Sequence, residues 1–152
     1  EVVALLGRRV ESQEQAAKDE ARGHGRELDV YTVGVVVCRP TQREAEDYYR
    51  HCYVDNADWS AVDSILAKRG VSPATIGAEQ FAKERVFQVN GMGGLPLIGD
   101  PDRIANDLTN LSRAGLRGIG MSLVNYADEL PYFCAEVLPR LERAGVRVKL
   151  AT

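Results

Sequence analysis

Residues 100–124, DPDRIANDLTNLSRAGLRGIGMSLV, set a sharply bounded helix directly ahead of an apolar strand, and this pairing limits the folds open to the chain more than any other feature. Asp100 is a residue type that caps helices by accepting first-turn N–H groups, and Pro101 at the first helical position forfeits no hydrogen bond. Ile104, Leu108 and Leu111 repeat at helical spacing and mark one apolar face. Ala114–Gly115 ends the helix, and a two-residue connection leads into a strand predicted over Gly118–Val124. An equivalent strand lies upstream at Tyr31–Cys38, YTVGVVVC. Its nearly unbroken β-branched run is the pattern of a strand buried on both faces, as in a parallel sheet. The chain is therefore predicted to be α/β.

The remaining elements follow from caps and breakers. Thr41 and Glu44 stand at the two positions of a capping box, opening a helix from Gln42 to about Tyr53 that carries Tyr48, Tyr49 and Tyr53. A helix over Asp58–Lys68 places Trp59, Val62, Ile65 and Leu66 on its apolar side, and Gly70–Val71–Ser72–Pro73 breaks it. A further helix spans Ala78–Val89. The glycines and proline of Asn90–Leu97 predict an irregular loop. The last helix is expected over Glu129–Ala144, kinked at Pro139, and the first over Val2–Ala21, stopped by Gly23 and Gly25.

With 152 residues and 45% hydrophobic composition the chain can bury one domain core. The net charge of −3 is interspersed and forms no basic stripe, so nucleic acid is not an expected partner. No apolar run approaches the ~18 residues of a membrane span. Cys38, Cys52 and Cys134 form no C-x-x-C pair, which fits a reduced, cytoplasmic setting. With His24 and His51 the only histidines, no metal site is expected. The start lacks the features of a signal peptide and an initiator Met, and begins inside a helical pattern, so truncation is the expectation.

Few residues carry chemistry. The glycine-rich run GMGGLPLIGD is neither a P-loop nor a dinucleotide fingerprint, and Asp100 already occupies the helix start where an anion would sit. It reads as a flexible loop ahead of a capped helix, compatible with a lid built from Asn90, Gly91, Gly93 and Gly94. Asn125 and Tyr126 follow the last strand, and side chains at the C-terminal ends of barrel strands face the active site. Tyr126 is either a hydrogen-bonding phenol of that site or a packing residue against the final helix. Cys38 reads as an inert buried thiol. Arg39 reads as the partner of a surface carboxylate or of an anionic substrate. Tyr48, Tyr49 and Tyr53 read as packing residues, and Asp128 and Glu129 as acids favoured at a helix start.

The same residues resemble a known family. TVGVVVCRPTQREAEDYYRHCYVDNADWSAVD resembles the seventh strand and following helix of the luciferase-like flavin oxidoreductases. LIGDPDRIANDLTNLSRAGLRGIGMSLVNYADELPYFCAEVLPRLERAG resembles their last helix–strand–helix. The likeness is nearest to the alkanesulfonate, dimethyl-sulfide and pyrimidine two-component monooxygenases. It implies the C-terminal part of a (β/α)8 TIM barrel, a fold of ~250 residues, with a helical and loop insertion at about 57–97 between its last two strands. It also implies reduced FMN delivered by an NAD(P)H:flavin reductase, O2, and a small organic substrate. Tyr126 falls where alkanesulfonate monooxygenases have an active-site tyrosine. Their lid arginine is replaced here by Asn90, with Arg85 five residues earlier. The residues that grip the FMN phosphate are expected upstream of this chain. Two alternatives remain at this stage: an F420-dependent oxidoreductase on the same barrel, or a non-catalytic, truncated flavin-binding paralogue. The open sheet predicts a homo-oligomer, or a partner segment such as the missing N-terminal half.

Overall fold

The computed structural model describes residues 15–90 and 94–148. The expected first helix is helical over 15–23 (α1), and its apolar start lies outside the described residues. Three parallel strands follow: β1 (Tyr31–Cys38), β2 (Leu95–Gly99) and β3 (Gly118–Ser122). They lie in the order β2-β1-β3. β1 and β3 are parallel neighbours, as expected, with Tyr31 opposite Gly118 and Val35 opposite Ser122, and the chain between them first forms β2 on the other side of β1.

β2 corrects the sequence expectation of an irregular loop over Asn90–Leu97. Leu95–Gly99 pairs with Gly34–Cys38 on the far edge of β1. Pro96 is tolerated because β2 is an edge strand among the described residues, where one side of the backbone needs no donor. Leu97 is fully buried. The β1 ladder and the apolar core override what the local glycines suggest.

The two faces of the sheet differ. On one, Val36, Cys38 and Leu97 join Ile104, Leu111, Leu116, Phe133, Val137 and Leu141 in a single core. These come from the helices α6 (Pro101–Arg113), α7 (Tyr126–Glu136) and α8 (Leu138–Arg143) and the segments around them. Each such large side chain contributes about 1.5–3 kcal/mol when fully buried, so this face holds the fold together. Alternation sends Tyr31 and Val33 to the other face, and both are exposed there, whereas Val35 and Val37 nearer the strand end are fully covered.

The caps behave as the sequence predicts. Thr41 and Glu44 form the reciprocal capping box of α2 (Gln42–Arg50), and Asp100 accepts the Arg103 N–H at 2.8 Å at the start of α6. Beyond Arg50 the backbone winds into a π-helical turn, His51–Asp55. The segment after it holds α3 (Trp59–Lys68), α4 (Pro73–Ile76) and α5 (Ala78–Val89). Arg85 ties α5 to α3: it bonds Asp63 at 2.7 Å and lies 4.8 Å over the Trp59 ring.

The last helix differs from expectation at its start and in its interior, while its end at Arg143 agrees. It starts at Tyr126, and Pro139 produces a break rather than a kink. A proline ring there clashes with the carbonyl four residues back and removes one N–H, so the helix splits at Val137. The Arg140 guanidinium donates to the Glu136 carbonyl left at the end of α7. Among the described residues no helix is long and apolar enough to cross a membrane.

Candidate functional site

The C-terminal ends of the three strands converge on Arg39. Its backbone N–H donates to the Gly99 carbonyl of β2 at 3.2 Å. Its guanidinium donates to the Cys38 carbonyl at 2.8 Å, meets Glu129 at 2.6 Å, and stacks 3.7 Å over the Tyr48 ring. Glu129 is buried, and its second oxygen accepts the N–H groups of Val124 and Asn125 at 3.0 and 3.2 Å. Of the two sequence readings of Arg39, the carboxylate partner holds, but that carboxylate is buried and ninety positions away. A planar guanidinium suits this place because its fork can serve a carboxylate, a carbonyl and an aromatic face together.

This pair also explains where β3 stops. The expected strand ran to Val124, but pairing ends at Ser122 because the next backbone donors turn to the Glu129 carboxylate. Asn125 then caps α7, accepting the Ala127 N–H at 3.1 Å and donating to Asp128 at 2.7 Å. Tyr126 is the first residue of α7. The residue is 54% exposed and its phenol donates to the Met121 carbonyl at 3.0 Å.

Asn90 sits apart from Asn125 in character. It is buried, and its side-chain oxygen accepts the Tyr49 hydroxyl at 2.6 Å. Its carbonyl accepts the Gly94 N–H at 3.0 Å. Gly94 is buried too, and a Cβ there would lie 3.2 Å from Val35 Cγ2. Both described ends of the expected lid are thus pinned to β1 and α2, while Gly91 and Gly93 lie outside the described residues.

Four tyrosines gather around these groups. Tyr49 and Tyr53 stack with centroids 5.2 Å apart. Burial, and then the neighbouring acidic groups Cys52, Glu129, Tyr49 and Tyr126, push the Tyr53 phenol up. Burial and the Cys52 side chain push Tyr48 up to about 12. Of these tyrosines Tyr48 meets Arg39 at the strand ends, Tyr49 bonds Asn90 ahead of β2, and Tyr53 packs on Tyr49, so the packing reading is extended at the first two. Burial also pushes the Cys38 thiol up to about 11, so it stays a neutral thiol rather than a nucleophile.

Cys38, Arg39, Tyr48, Asn125, Glu129 and Tyr132 line a cleft of about 410 Å³. A second cavity, of about 310 Å³, lies among Leu108, Leu111, Phe133, Leu138 and Leu141. It is lined mainly by apolar side chains of the helix-covered core, with Ser112, Arg117 and Arg147, and a third, of about 610 Å³, lies between α2 and Ile98; the strand-end cleft gathers the most polar groups and is the candidate site. Its chemistry is that of neutral phenols, an amide and an internally balanced ion pair. Such a wall orients polar groups by hydrogen bonding and supports flat rings.

No family profile matches the chain. Two curated relatives do. A sulfoquinovose monooxygenase of Agrobacterium fabrum is 26% identical over 148 residues, covering 87% of this chain and 38% of the relative. An FMNH2-dependent dimethylsulfone monooxygenase of Pseudomonas fluorescens is 27% identical over 140 residues, covering 89% of this chain and 38% of the relative. The chain is related to the C-terminal part of the luciferase-like flavin monooxygenases. It spans somewhat over a third of the length of the curated relatives it matches. A riboflavin lyase solved with modified FMN and riboflavin superposes with a TM-score of 0.74 at 20% identity, over 93% of this chain and 38% of the enzyme. DmoA from Hyphomicrobium sulfonivorans gives 0.70 at 15% identity, over 94% and 36%. The fold is accordingly part of a luciferase-like TIM barrel. The helix-covered face of the sheet is its outside, the face bearing Tyr31 and Val33 looks inward, and Arg39, Asn125 and Tyr126 stand at the end where such barrels keep their active sites.

Sequence reasoning placed Asn125 and Tyr126 at this end but missed the joining of Arg39 to Glu129. Only their positions relative to the two strands hinted at it: one follows β1 directly, the other lies one turn into the helix after β3.

Proposed function

We propose that this chain is the C-terminal part of an FMNH2-dependent monooxygenase that oxygenates a small organic substrate with O2. The observation that carries the reading is the match of nearly the whole chain to two monooxygenases, one of them FMNH2-dependent by name. A partly exposed Tyr126 shortly after β3, beside the cleft residue Asn125, is compatible with it. In this reading Tyr126 is the catalytic phenol of the chain, and Asn125 and the 90–94 segment border the substrate.

The residues at the strand-end mouth do not fit an FMN phosphate. Arg39, the cation at the mouth, is already neutralised by Glu129. The starts of α2, α6 and α7 are occupied by Thr41, Asp100 and Asn125. Asp128 adds negative charge beside the cleft. A dianion placed here would lose its water shell without gaining donors. The proposal therefore assigns the phosphate grip to other parts of the complete polypeptide. To this chain it assigns a wall of the mouth that orients the substrate and sheds water from it.

The reading brings in three further proposals: an NAD(P)H:flavin reductase as the partner supplying FMNH2, a cytoplasmic setting, and a homo-oligomeric assembly. The test is oxygen uptake by the complete polypeptide supplied with FMNH2 by a reductase, screened against a panel of small organic substrates. Substrate-dependent uptake with product hydroxylation or cleavage supports the proposal. Turnover with reduced F420 and no use of O2 would replace it with hydride transfer, and flavin binding with neither activity would replace it with a non-catalytic role.

A further inference from the structure

We infer that Arg39 and Glu129 are positioning residues that set the Tyr126 phenol at the barrel mouth. The inference rests on the reading of Tyr126 given above, and it begins from a junction rather than from a site. Three strand ends must be held in register for any side chain beyond them to have a fixed place. β1 holds β2 through the Arg39 backbone N–H and the Gly99 carbonyl. β1 is tied to the segment after β3 by the Arg39 side chain, by way of Glu129, alongside the packing of Leu123 in the shared core.

Glu129 uses both oxygens. One takes Arg39, and the other takes the N–H groups of Val124 and Asn125, the two residues immediately before Tyr126. The carboxylate thus fixes the backbone that leads into Tyr126, and Arg39 fixes the carboxylate to β1. Arg39 is itself held from two more sides, by the Cys38 carbonyl and by the Tyr48 ring. The Tyr126 hydroxyl reaches back to the Met121 carbonyl of β3. The turn is therefore closed at both ends, and its geometry depends on a charge-assisted bond that neither strand makes alone. The arrangement also explains why a buried ion pair is kept where apolar packing would serve stability as well: it supplies an acceptor for two backbone N–H groups and a link to β1 at one point. Neither residue contacts a reacting atom in this account; both act through Tyr126.

The test uses the complete polypeptide, flavin-free, with 3-fluorotyrosine placed at position 126 and read by 19F NMR. Glu129→Gln keeps the shape and removes the charge. Arg39→Lys keeps the charge and removes the fork and the ring stack. Both are expected to shift or broaden the resonance of residue 126, whereas Arg85→Lys, at the separate ion pair with Asp63, is not. A second arm follows turnover. Glu129→Gln is expected to lower kcat roughly tenfold or more with KM little changed, and to add no further loss in a Tyr126→Phe background. An unmoved resonance in both variants, or losses that multiply in the double variant, would overturn the inference. If the complete polypeptide moved its resonance as expected yet showed no FMNH2-dependent oxygen uptake, the positioning role would be supported and the monooxygenase reading would fall. If Glu129→Gln did not fold, Arg39→Lys alone decides.

Discussion

Ile119 occupies the space that a side chain on Gly34 would need: its Cδ1 lies 2.6 Å from the position of a Cβ built there. The two residues face each other on the helix-covered side of β1 and β3, in the middle of the barrel segment. The Leu95 carbonyl stands 3.2 Å from the same point on the other side. Glycine is required here by close approach, not by backbone angle.

Gly34→Ala is therefore expected to destabilise the protein by ~1–3 kcal/mol, the usual cost of overpacking a core. Ile119→Val removes the offending carbon and costs ~0.5–1.5 kcal/mol alone. In combination the two are expected to cost less than their sum. Urea midpoints of the four variants measure this, and strict additivity would mean that the strand backbone, not Ile119, absorbs the new methyl.

The Tyr49–Asn90 bond gives a second expectation. Tyr49→Phe leaves the buried Asn90 oxygen without its hydroxyl donor. Leaving a buried acceptor unpaired costs ~1–3 kcal/mol. Asn90→Ala removes the acceptor as well, so the double variant is expected to be no less stable than Asn90→Ala alone to within about 0.5 kcal/mol. Denaturation of the four proteins decides it.

These contacts mark where the sequence could be read and where it could not. β1 declares itself because seven of its eight residues suit a doubly buried strand, and the burial of Val35, Val36 and Val37 follows from that run. The starts of α2 and α6 are legible because their caps are local: donor and acceptor lie three residues apart. β2 is not legible, since LPLIG has no period and its neighbours are loop formers; its partner strand supplies the missing information. Arg39–Glu129 and Tyr49–Asn90 are pairs across 90 and 41 positions, and no local pattern encodes them. Tyr126 is expected in the connection after the last strand, but it begins α7, because Asn125 caps the helix so that it starts three residues before the expected Glu129.

Alkaline stability provides a third expectation. Burial raises Cys38 from an ordinary thiol value of 9.0 to about 11. Below pH 9 the thiol is protonated in both folded and unfolded chains and contributes no slope. Between about 9 and 11 the unfolded chain loses this proton while the folded one keeps it, so stability falls as pH rises through that window. The loss is on the order of 2 kcal/mol when complete. Tyr48, raised from 10.0 to about 12, adds a fall of the same sign at still higher pH. Cys38→Ala is expected to flatten the lower part of this slope. In the native state at pH 8, alkylation is expected to reach the exposed Cys134 first and Cys38 last; early modification of Cys38 would contradict its burial.

Tyr126 bears most directly on the proposed oxygenation. In the complete polypeptide supplied with FMNH2, Tyr126→Phe is expected to lower kcat and kcat/KM together by roughly 5- to 150-fold, the effect of losing a hydrogen bond made mainly in the transition state. The Kd for FMNH2, titrated anaerobically, is expected to stay within about twofold, a shift under 0.5 kcal/mol, because the phosphate seat is proposed to lie in other parts of the complete polypeptide. Unchanged turnover, or a loss confined to flavin affinity, would contradict the assignment of the catalytic mouth to this end of the chain.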